Sequence, residues 1–361
     1  LMVDYSCALR LSGSIAVMAA QRESALRGFM VKGSRYFEAM SEADVIVFDK
    51  TGTLTAATPR VVHVDPYDGY TREEALRLAA CLEEHFPHPV ARAVVKAAQD
   101  EGLEHRERHA EVEYVVAHGI ASSLEGARVV IGSEHFVLED EQVPVSAEEL
   151  ARIHEQAHGT SPLFLAVDGQ LRGVIYVDDP LKAGVSDVVT QLRAEGFARV
   201  IMLTGDNERT AARIAAQAGI TEFRADLLPE HKHALVEELQ REGYKVAMVG
   251  DGVNDSPALA AAHVSIAMSG GSAIAREAAD ITLTSSDLSA IVDLRRLSRV
   301  LQRRMGHGYR FTVAFNSALL ALGIAGVLTP QMSSVLHNGS TVALSASHAR
   351  AFLPESTQEE A

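Results

Sequence analysis

Three short apolar runs, each meeting an aspartate at its end, constrain this chain more than any other feature. They are VIVFD at Val45–Asp49, VIMLTGD at Val200–Asp206 and VAMVGDG at Val246–Gly252. Runs without polar alternation belong to strands covered on both faces, and such strands are parallel. Parallel strands finish at one edge of their sheet, so aspartates far apart in sequence are brought to a common edge. Helical periodicity fills the intervals. Asp206-Asn207 opens ERTAARIAAQAG and Leu228-Pro229 opens EHKHALVEELQREG, each closed by glycine. His231 and His233 in the second run stand at i, i+2, which points them apart, so they read as a solvated face.

The stretch from Pro59 to Ser161 breaks that pattern. It holds two helical runs, Thr71–Leu82 and Val90–Glu101, followed by the β-rich pieces EVEYVVAH and ARVVIGS. A segment of roughly a hundred residues is large enough to fold as its own α+β insertion. Cys81 within it reads as core.

The chemistry begins at Asp49. The string Asp49-Lys50-Thr51-Gly52-Thr53-Leu54-Thr55 places a carboxylate where a strand enters a loop of small residues. Such a carboxylate can attack a phosphoryl group whose oxygens the loop amides hold. Thr204-Gly205-Asp206 closes the second run and offers a hydroxyl and amides to phosphate oxygens. Asp251, Asn254 and Asp255 close the third and supply hard oxygen ligands suited to Mg²⁺. Lys232 could balance charge on the phosphoryl group. A net charge of −15 and an isoelectric point near 5.5 exclude a nucleic-acid partner held by phosphate contacts. Two cysteines, Cys7 and Cys81, make no disulfide framework and suit a reducing compartment.

The two ends differ from the middle. LMVDYSCALRLSGSIAVMAA is apolar with Asp4 and Arg10 embedded, and reads as part of a helix of a longer protein. Phe311–Thr329 carries no charge and follows Arg303, Arg304 and Arg310, the pattern of a membrane span with a basic cytoplasmic flank. Gln331–Phe352 reads as a second, more polar span, and PESTQEEA as an acidic tail. A buried helical hairpin is the alternative for these two segments.

DKTGTLT, TGD and GDGVNDSPAL together resemble the P-type ATPases, within the haloacid-dehalogenase-like class, over Val45 to about Asp280. The resemblance implies that ATP phosphorylates Asp49, with Lys50 in the same string. It implies that the Thr51 carbonyl and the Asp49 and Asp251 side chains meet Mg²⁺, with Asn254 and Asp255 in support. Thr204, Gly205, Asp206 and Lys232 would face the phosphoryl group. Phosphatases of the class usually carry a second aspartate two residues after the nucleophile. Thr51 stands there instead, so the acyl phosphate is expected to persist, as a pump requires.

Inside the insertion, His88-Pro89 resembles the SEHP element of the heavy-metal-transporting subgroup. By that likeness His88, Pro89, Glu83 and Gly119 contact ATP, while Ala117 and Ser133 depart from the subgroup's glycine and asparagine. Tyr5-Ser6-Cys7 occupies the place of a Cys-Pro-Cys type triplet, with one thiolate and no proline. His337-Asn338-Gly339-Ser340-Thr341 is similar to an HEGGT-like element, and Phe315-Asn316 to a Tyr-Asn pair. Cys7 and His337 are therefore the candidate ligands of a transported divalent ion, with zinc, cobalt or iron as candidates. No TGE string is present, so the actuator domain and earlier membrane helices are expected as partners elsewhere in the protein.

The expected organisation is a partial membrane helix at 1–22, a linker and first part of the phosphorylation domain at 23–58, and a nucleotide-binding domain at 59–165. The second part of the phosphorylation domain follows at 166–295, a membrane helix pair at 296–353 and a tail at 354–361. The expected function is ATP-driven export or import of a transition metal by a multi-pass membrane protein with cytoplasmic catalytic domains, its membrane helices facing lipid. A soluble phosphatase of the same class and a regulatory nucleotide- or metal-binding module without turnover are the alternatives; a pump for an alkali or alkaline-earth ion is a weaker rival.

Overall fold

The computed structural model of the protein describes residues 5–84, 89–103, 109–115, 119–124, 126–157, 160–252 and 255–354, with backbone alone described at 6, 7, 109–115 and 229. Helix α1 (Tyr5–Leu26), strand β1 (Phe29–Val31), helix α2 (Ser34–Glu42) and strand β2 (Val45–Asp49) come first. Next are β3 (Arg60–Pro66), α3 (Arg72–Glu83), α4 (Pro89–Asp100), β4 (His109–Val115), β5 (Gly119–Leu124) and β6 (Ala127–Gly132). Helix α5 (Ala147–Gln156) precedes β7 (Ser161–Val167) and β8 (Gln170–Asp178). Then come α6 (Val185–Ala194), β9 (Arg199–Leu203), α7 (Glu208–Ala218), β10 (Glu222–Arg224), α8 (Pro229–Arg241) and β11 (Val246–Gly250). The last elements are α9 (Ser256–Ala261), β12 (Val264–Ala267), α10 (Ala273–Ala278), β13 (Ile281–Leu283), α11 (Ser289–Ile324) and α12 (Pro330–His348). They form two compact units: Leu1–Asp49, Ser186–Ile201 and Pro229–Ala361 in the first, Lys50–Val185 and Met202–Leu228 in the second.

In the first unit the strands lie in the order β1, β13, β12, β11, β2. Pairs β13/β12, β12/β11 and β11/β2 are parallel, and β1 joins antiparallel at the edge. Every residue of β2, β11 and β12 is buried, as expected of strands covered on both faces. The register pairs Val249 with Phe48. Asp49 and the Gly250-Asp251 turn therefore leave the sheet side by side.

The second unit is built on an antiparallel sheet in the order β3, β8, β7, β6, β5, β4. Side chains alternate between its faces. Val129, Ile131, Leu165 and Ile175 pack with Leu76, Ala79 and Val94 of α3 and α4. Val130, Phe164, Ala166 and Val174 pack with Ile153 of α5 and Phe136. Thr71 and Glu74 close a reciprocal capping box at the start of α3, which fixes where that helix begins.

Helix α11 has 36 residues, about 54 Å at 1.5 Å per residue. Its first turns bury Ile291, Leu294, Arg295 and Leu297; further on only a narrow stripe of Gly308, Thr312, Asn316 and Leu319 is buried. Along α1 the buried stripe is Ala8, Ser12, Ala16 and Ala20, and α12 buries Ser333, His337, Ser345 and His348. Large apolar side chains point outward instead: Met18, Ile324, Val335 and Val342 are each at least 66 % exposed.

The segments expected to span a membrane at the two ends are helical, within α1, α11 and α12. Among the described residues no helix is long and apolar enough to cross a membrane. The apolar segment at Phe311–Thr329 is helical only to Ile324, about 21 Å against the roughly 30 Å of a bilayer core. Gly326 in the left-handed region (φ 74°) and a bond from the Val327 N–H to the Leu322 carbonyl at 2.9 Å end the helix there. Gln331, His337 and Asn338 interrupt the apolar character of α12, and Arg10, Arg22 and Glu23 that of α1.

Arg295 joins α11 to the sheet side of the first unit. It is 5 % exposed, donates to the carbonyls of Met40 and Glu195, and lies 4.5 Å from the centre of the Phe197 ring. Arg296, next to it, makes a half-exposed ion pair with Glu195 at 2.8 Å. Buried carbonyls deprived of a donor cost about 1–3 kcal/mol, whereas an exposed pair contributes about 0–1. Arg295→Met is expected to lower unfolding stability by about 2 kcal/mol in urea titration, and Arg296→Met by under about 1 kcal/mol.

Candidate active site

Four sequence-selected residues meet in the first unit. Asp49 ends β2, Asp251 follows β11, Asp255 stands before α9 and Lys232 lies on α8. Carboxylate oxygens of Asp49, Asp251 and Asp255 lie within 4.8 Å of one another. The Lys232 ammonium donates to Asp49 Oδ1 at 2.5 Å and to Asp255 Oδ1 at 2.8 Å, both pairs buried. Burial pushes the Asp49 carboxyl up to about 7; Asp255 adds to the rise and Lys232 opposes it. Burial draws the Lys232 ammonium down, but Asp49 and Asp255 outweigh it and hold it protonated. One ammonium thus faces three carboxylates, and the residual negative charge on hard oxygen donors fits Mg²⁺.

Gly271 was not legible as part of this site. A Cβ there would lie 2.7 Å from the Asp251 carbonyl oxygen. The Ser272 N–H donates to that oxygen at 2.8 Å, and the Met268 N–H to the Gly250 carbonyl at 3.1 Å. The Asp251 turn is thus held from behind by backbone, and only glycine leaves room for it. The signal was the pair Gly270-Gly271 just after β12, with nothing in the string to say which turn it supports.

A second group forms in the second unit. Lys50 Nζ pairs with Asp206 Oδ2 at 2.5 Å, and the Thr204 hydroxyl donates to the same oxygen at 3.0 Å. The Asp206 N–H returns to Thr204 Oγ1 at 3.0 Å. Gly205 approaches the Leu227 carbonyl, which a Cβ would meet at 3.4 Å. The loop after Asp49 turns at Gly52 (φ 71°), leaving Thr51 exposed. Thr55 ties the loop together, accepting from the Gly52 N–H at 3.2 Å and donating to the Lys50 carbonyl at 3.3 Å. Lys182 donates to the carbonyls of Gly52 and Thr53 at 3.0 and 2.8 Å. Lys182 had no signal in the sequence, because its partners are backbone oxygens of a loop far away in the chain.

Elsewhere in the second unit, Glu83 is buried at the end of α3 and Pro89 opens α4. Gly119 opens β5 opposite Gly132, where a Cβ would lie 2.3 Å from the Phe136 ring. Ser133 accepts from the Phe136 N–H at 3.3 Å, starting the turn at His135–Asp140. His88, Ala117 and Asn254 lie outside the described residues, as does the Cys7 side chain. His337 is buried in the helical end of the first unit, its Nδ1–H donating to Asn316 Oδ1 at 3.0 Å, while Asn338 is exposed.

Two outcomes follow. Lys232→Met strands buried carboxylates and is expected to cost about 3–5 kcal/mol, with part recovered by adding Asp255→Asn, as read by urea unfolding. Burial pushes the Glu83 carboxyl up to about 7, so the folded chain keeps a proton there that the unfolded chain loses near 4.5. Its contribution therefore falls as pH rises from about 4.5 to 7, by on the order of 3 kcal/mol, and then levels. Glu83→Gln is expected to flatten that part of the stability–pH curve and to be more stable than the parent at pH 8.

Residues 43–263 match the family model of haloacid dehalogenase-like hydrolases. The chain is 39 % identical over 355 residues to a zinc-exporting P-type ATPase of Mycobacterium marinum, covering 97 % of this chain and 48 % of that protein. It is 38 % identical to a manganese-exporting P-type ATPase of Mycobacterium leprae, with 97 % and 48 % covered. A probable copper-exporting P-type ATPase V of Mycobacterium tuberculosis is 39 % identical, with 95 % and 44 % covered. The chain thus spans about half the length of the curated relatives it matches. Among solved structures it is similar to a zinc-transporting PIB-type ATPase in the E2.Pi state, with TM-score 0.71, 32 % identity and 95 % and 55 % covered. It is also similar to the catalytic domain of the CPx-ATPase CopB-B, with TM-score 0.62, 28 % identity and 77 % and 98 % covered.

Proposed function

Because the chain belongs to the haloacid dehalogenase-like hydrolases, with heavy-metal P-type ATPases as its relatives, we propose that it is the catalytic part of a pump that moves a transition-metal ion at the expense of ATP. The observation that carries this reading is the meeting of Asp49 with Asp251, Asp255 and Lys232 at the strand ends of the first unit. The Asp49 carboxylate attacks the γ-phosphorus of ATP in line; a P–O bond forms to Asp49 as the bond to the β-phosphate oxygen breaks, and ADP leaves. Lys232 opposes the effect of burial and so favours the charged form of Asp49, which its nucleophilic role requires. Bound Mg²⁺, held by Asp49, Asp251 and the Thr51 carbonyl with Asn254 and Asp255 in support, would neutralise phosphate charge. Thr204, Gly205 and the Asp206–Lys50 pair are assigned to the phosphoryl oxygens, and Glu83, His88, Pro89 and Gly119 to the nucleotide.

Thr51 supports a pump over a phosphatase, since it offers no carboxylate to activate water at the acyl phosphate. The helical end of the first unit supports placement at a membrane. Small and polar residues fill its interior and large apolar ones its outside, the arrangement of helices packed within lipid. On this reading the catalytic units are cytoplasmic, the actuator domain and other membrane helices belong to the same pump, and Cys7 and His337 are ligands of the cargo. The relatives are named for zinc, manganese and copper, so zinc heads the candidates, ahead of cobalt and iron.

The test uses the full-length protein with γ-labelled ATP, Mg²⁺ and a panel of transition metals, quenched in acid. The expected label is acid-stable, hydroxylamine-labile, dependent on one metal and lost in Asp49→Asn. Absence of label under every metal, in protein that binds ATP, would overturn the reading.

A further inference from the structure

A cavity of about 380 Å³ lies in the first unit between α11 and α12, more than ten water volumes at roughly 30 Å³ each. It sits where α11 passes from its basic run into its apolar segment. Arg303, Arg304, His307 and His348 line it, together with apolar side chains that include Phe311 and Leu344. No carboxylate is among its described lining residues, although the chain carries a net charge of −15.

The cavity is built rather than left over. Arg304 donates to the carbonyls of Arg350 and Ala351 at 2.7 and 2.9 Å and lies 3.8 Å from the centre of the Phe352 ring. These contacts fix its guanidinium and engage only part of its five N–H donors. His348 is 3 % exposed, and its Nδ1–H donates to the Ser12 carbonyl at 3.0 Å. That bond turns Nε2 toward Gly308, where a Cβ would lie 2.9 Å from it. Any residue larger than glycine at position 308 would fill the space beside the imidazole. Glu23, the acid that acts on Arg304, accepts from the N–H groups of Phe352 and Leu353 at 2.7 and 2.9 Å and pairs with the Arg27 guanidinium at 3.2 Å, so most of its charge is engaged away from the cavity.

We propose that this cavity binds one anionic phospholipid, with Arg303, Arg304 and His307 on the headgroup phosphate and the first acyl carbons against Phe311 and Leu344. Basic pockets beside membrane-embedded helices are suited to such headgroups. The inference rests on the reading that this end of the protein meets a membrane, and is separable from the chemistry at Asp49.

The experiment places full-length protein in phosphatidylcholine nanodiscs containing a minor fraction of phosphatidylglycerol. Lipid retained on the protein is counted by native mass spectrometry, and acyl phosphate at Asp49 is measured in the same samples. The parent is expected to retain phosphatidylglycerol in preference to phosphatidylcholine. Arg303→Gln with His307→Gln, both exposed and so neutral for folding, is expected to lower that retention at least about fivefold. Arg303→Lys is expected to keep it, and added inorganic phosphate to leave it unchanged. Equal retention in parent and double variant would overturn the proposal, as would displacement by inorganic phosphate, which would make this a site for free anions only. Loss of acyl phosphate with the lipid count intact would count against the pump alone.

Discussion

The ammonium of Lys232 is the interaction on which the first unit's strand ends depend. Asp49, Asp251 and Asp255 arrive from β2 and from the segment after β11, and the parallel register leaves them no means of separating. Without a cation between them the edge would repel itself in a medium that screens poorly. Lys232 meets the two most buried of the three at hydrogen-bond distance. Because it cannot match all the charge, Asp49 stays reluctant to ionise, and the edge is poised to accept further positive charge. The same deficit of positive charge makes the edge receptive to Mg²⁺.

The second unit solves a different problem, that of holding a loop of small residues in one shape. Gly52 takes a left-handed conformation, and the Gly52 and Thr53 carbonyls both face the Lys182 ammonium. Lys182 and Thr55 supply the missing donors and ties. A loop fixed in this way can offer its remaining amides to a ligand without first losing conformational freedom.

Much of this was legible in the residue order. Asp-terminated apolar runs predict parallel strands because burial on both faces removes polar alternation, and β2, β9 and β11 are those runs. The strings around Asp49, Asp206 and Asp251 are local, so their chemistry could be read locally. Lys182 and Gly271 were not legible, since each acts on backbone oxygen of a distant segment and backbone leaves no mark in sequence. The end of α11 was not legible for a similar reason. Composition reports that Phe311–Thr329 is apolar throughout, but the left-handed turn at Gly326 decides where the helix stops. Glu83 and Gly119 show the opposite limit: their positions were read as nucleotide contacts, while the fold also needs Gly119 small because Phe136 lies against it.

One feature of α11 has a mechanical side. The helix is continuous from the residues that grip the Glu195 carbonyl to Ile324, without proline and without a break. A rod of that kind has no joint at which to bend sharply, so a displacement at one end is carried mainly as a tilt. With Arg295 as fulcrum, the arm to Ile324 is about 43 Å long, so a tilt of about 5° at the sheet sweeps the far end through roughly 4 Å. That is a large part of the roughly 5–6 Å between neighbouring side chains on a helix face. At Asn316, about 32 Å from the fulcrum, the same tilt moves the backbone by roughly 3 Å, so a rearrangement too small to disturb the core around Phe197 would be enough to break its bond with His337.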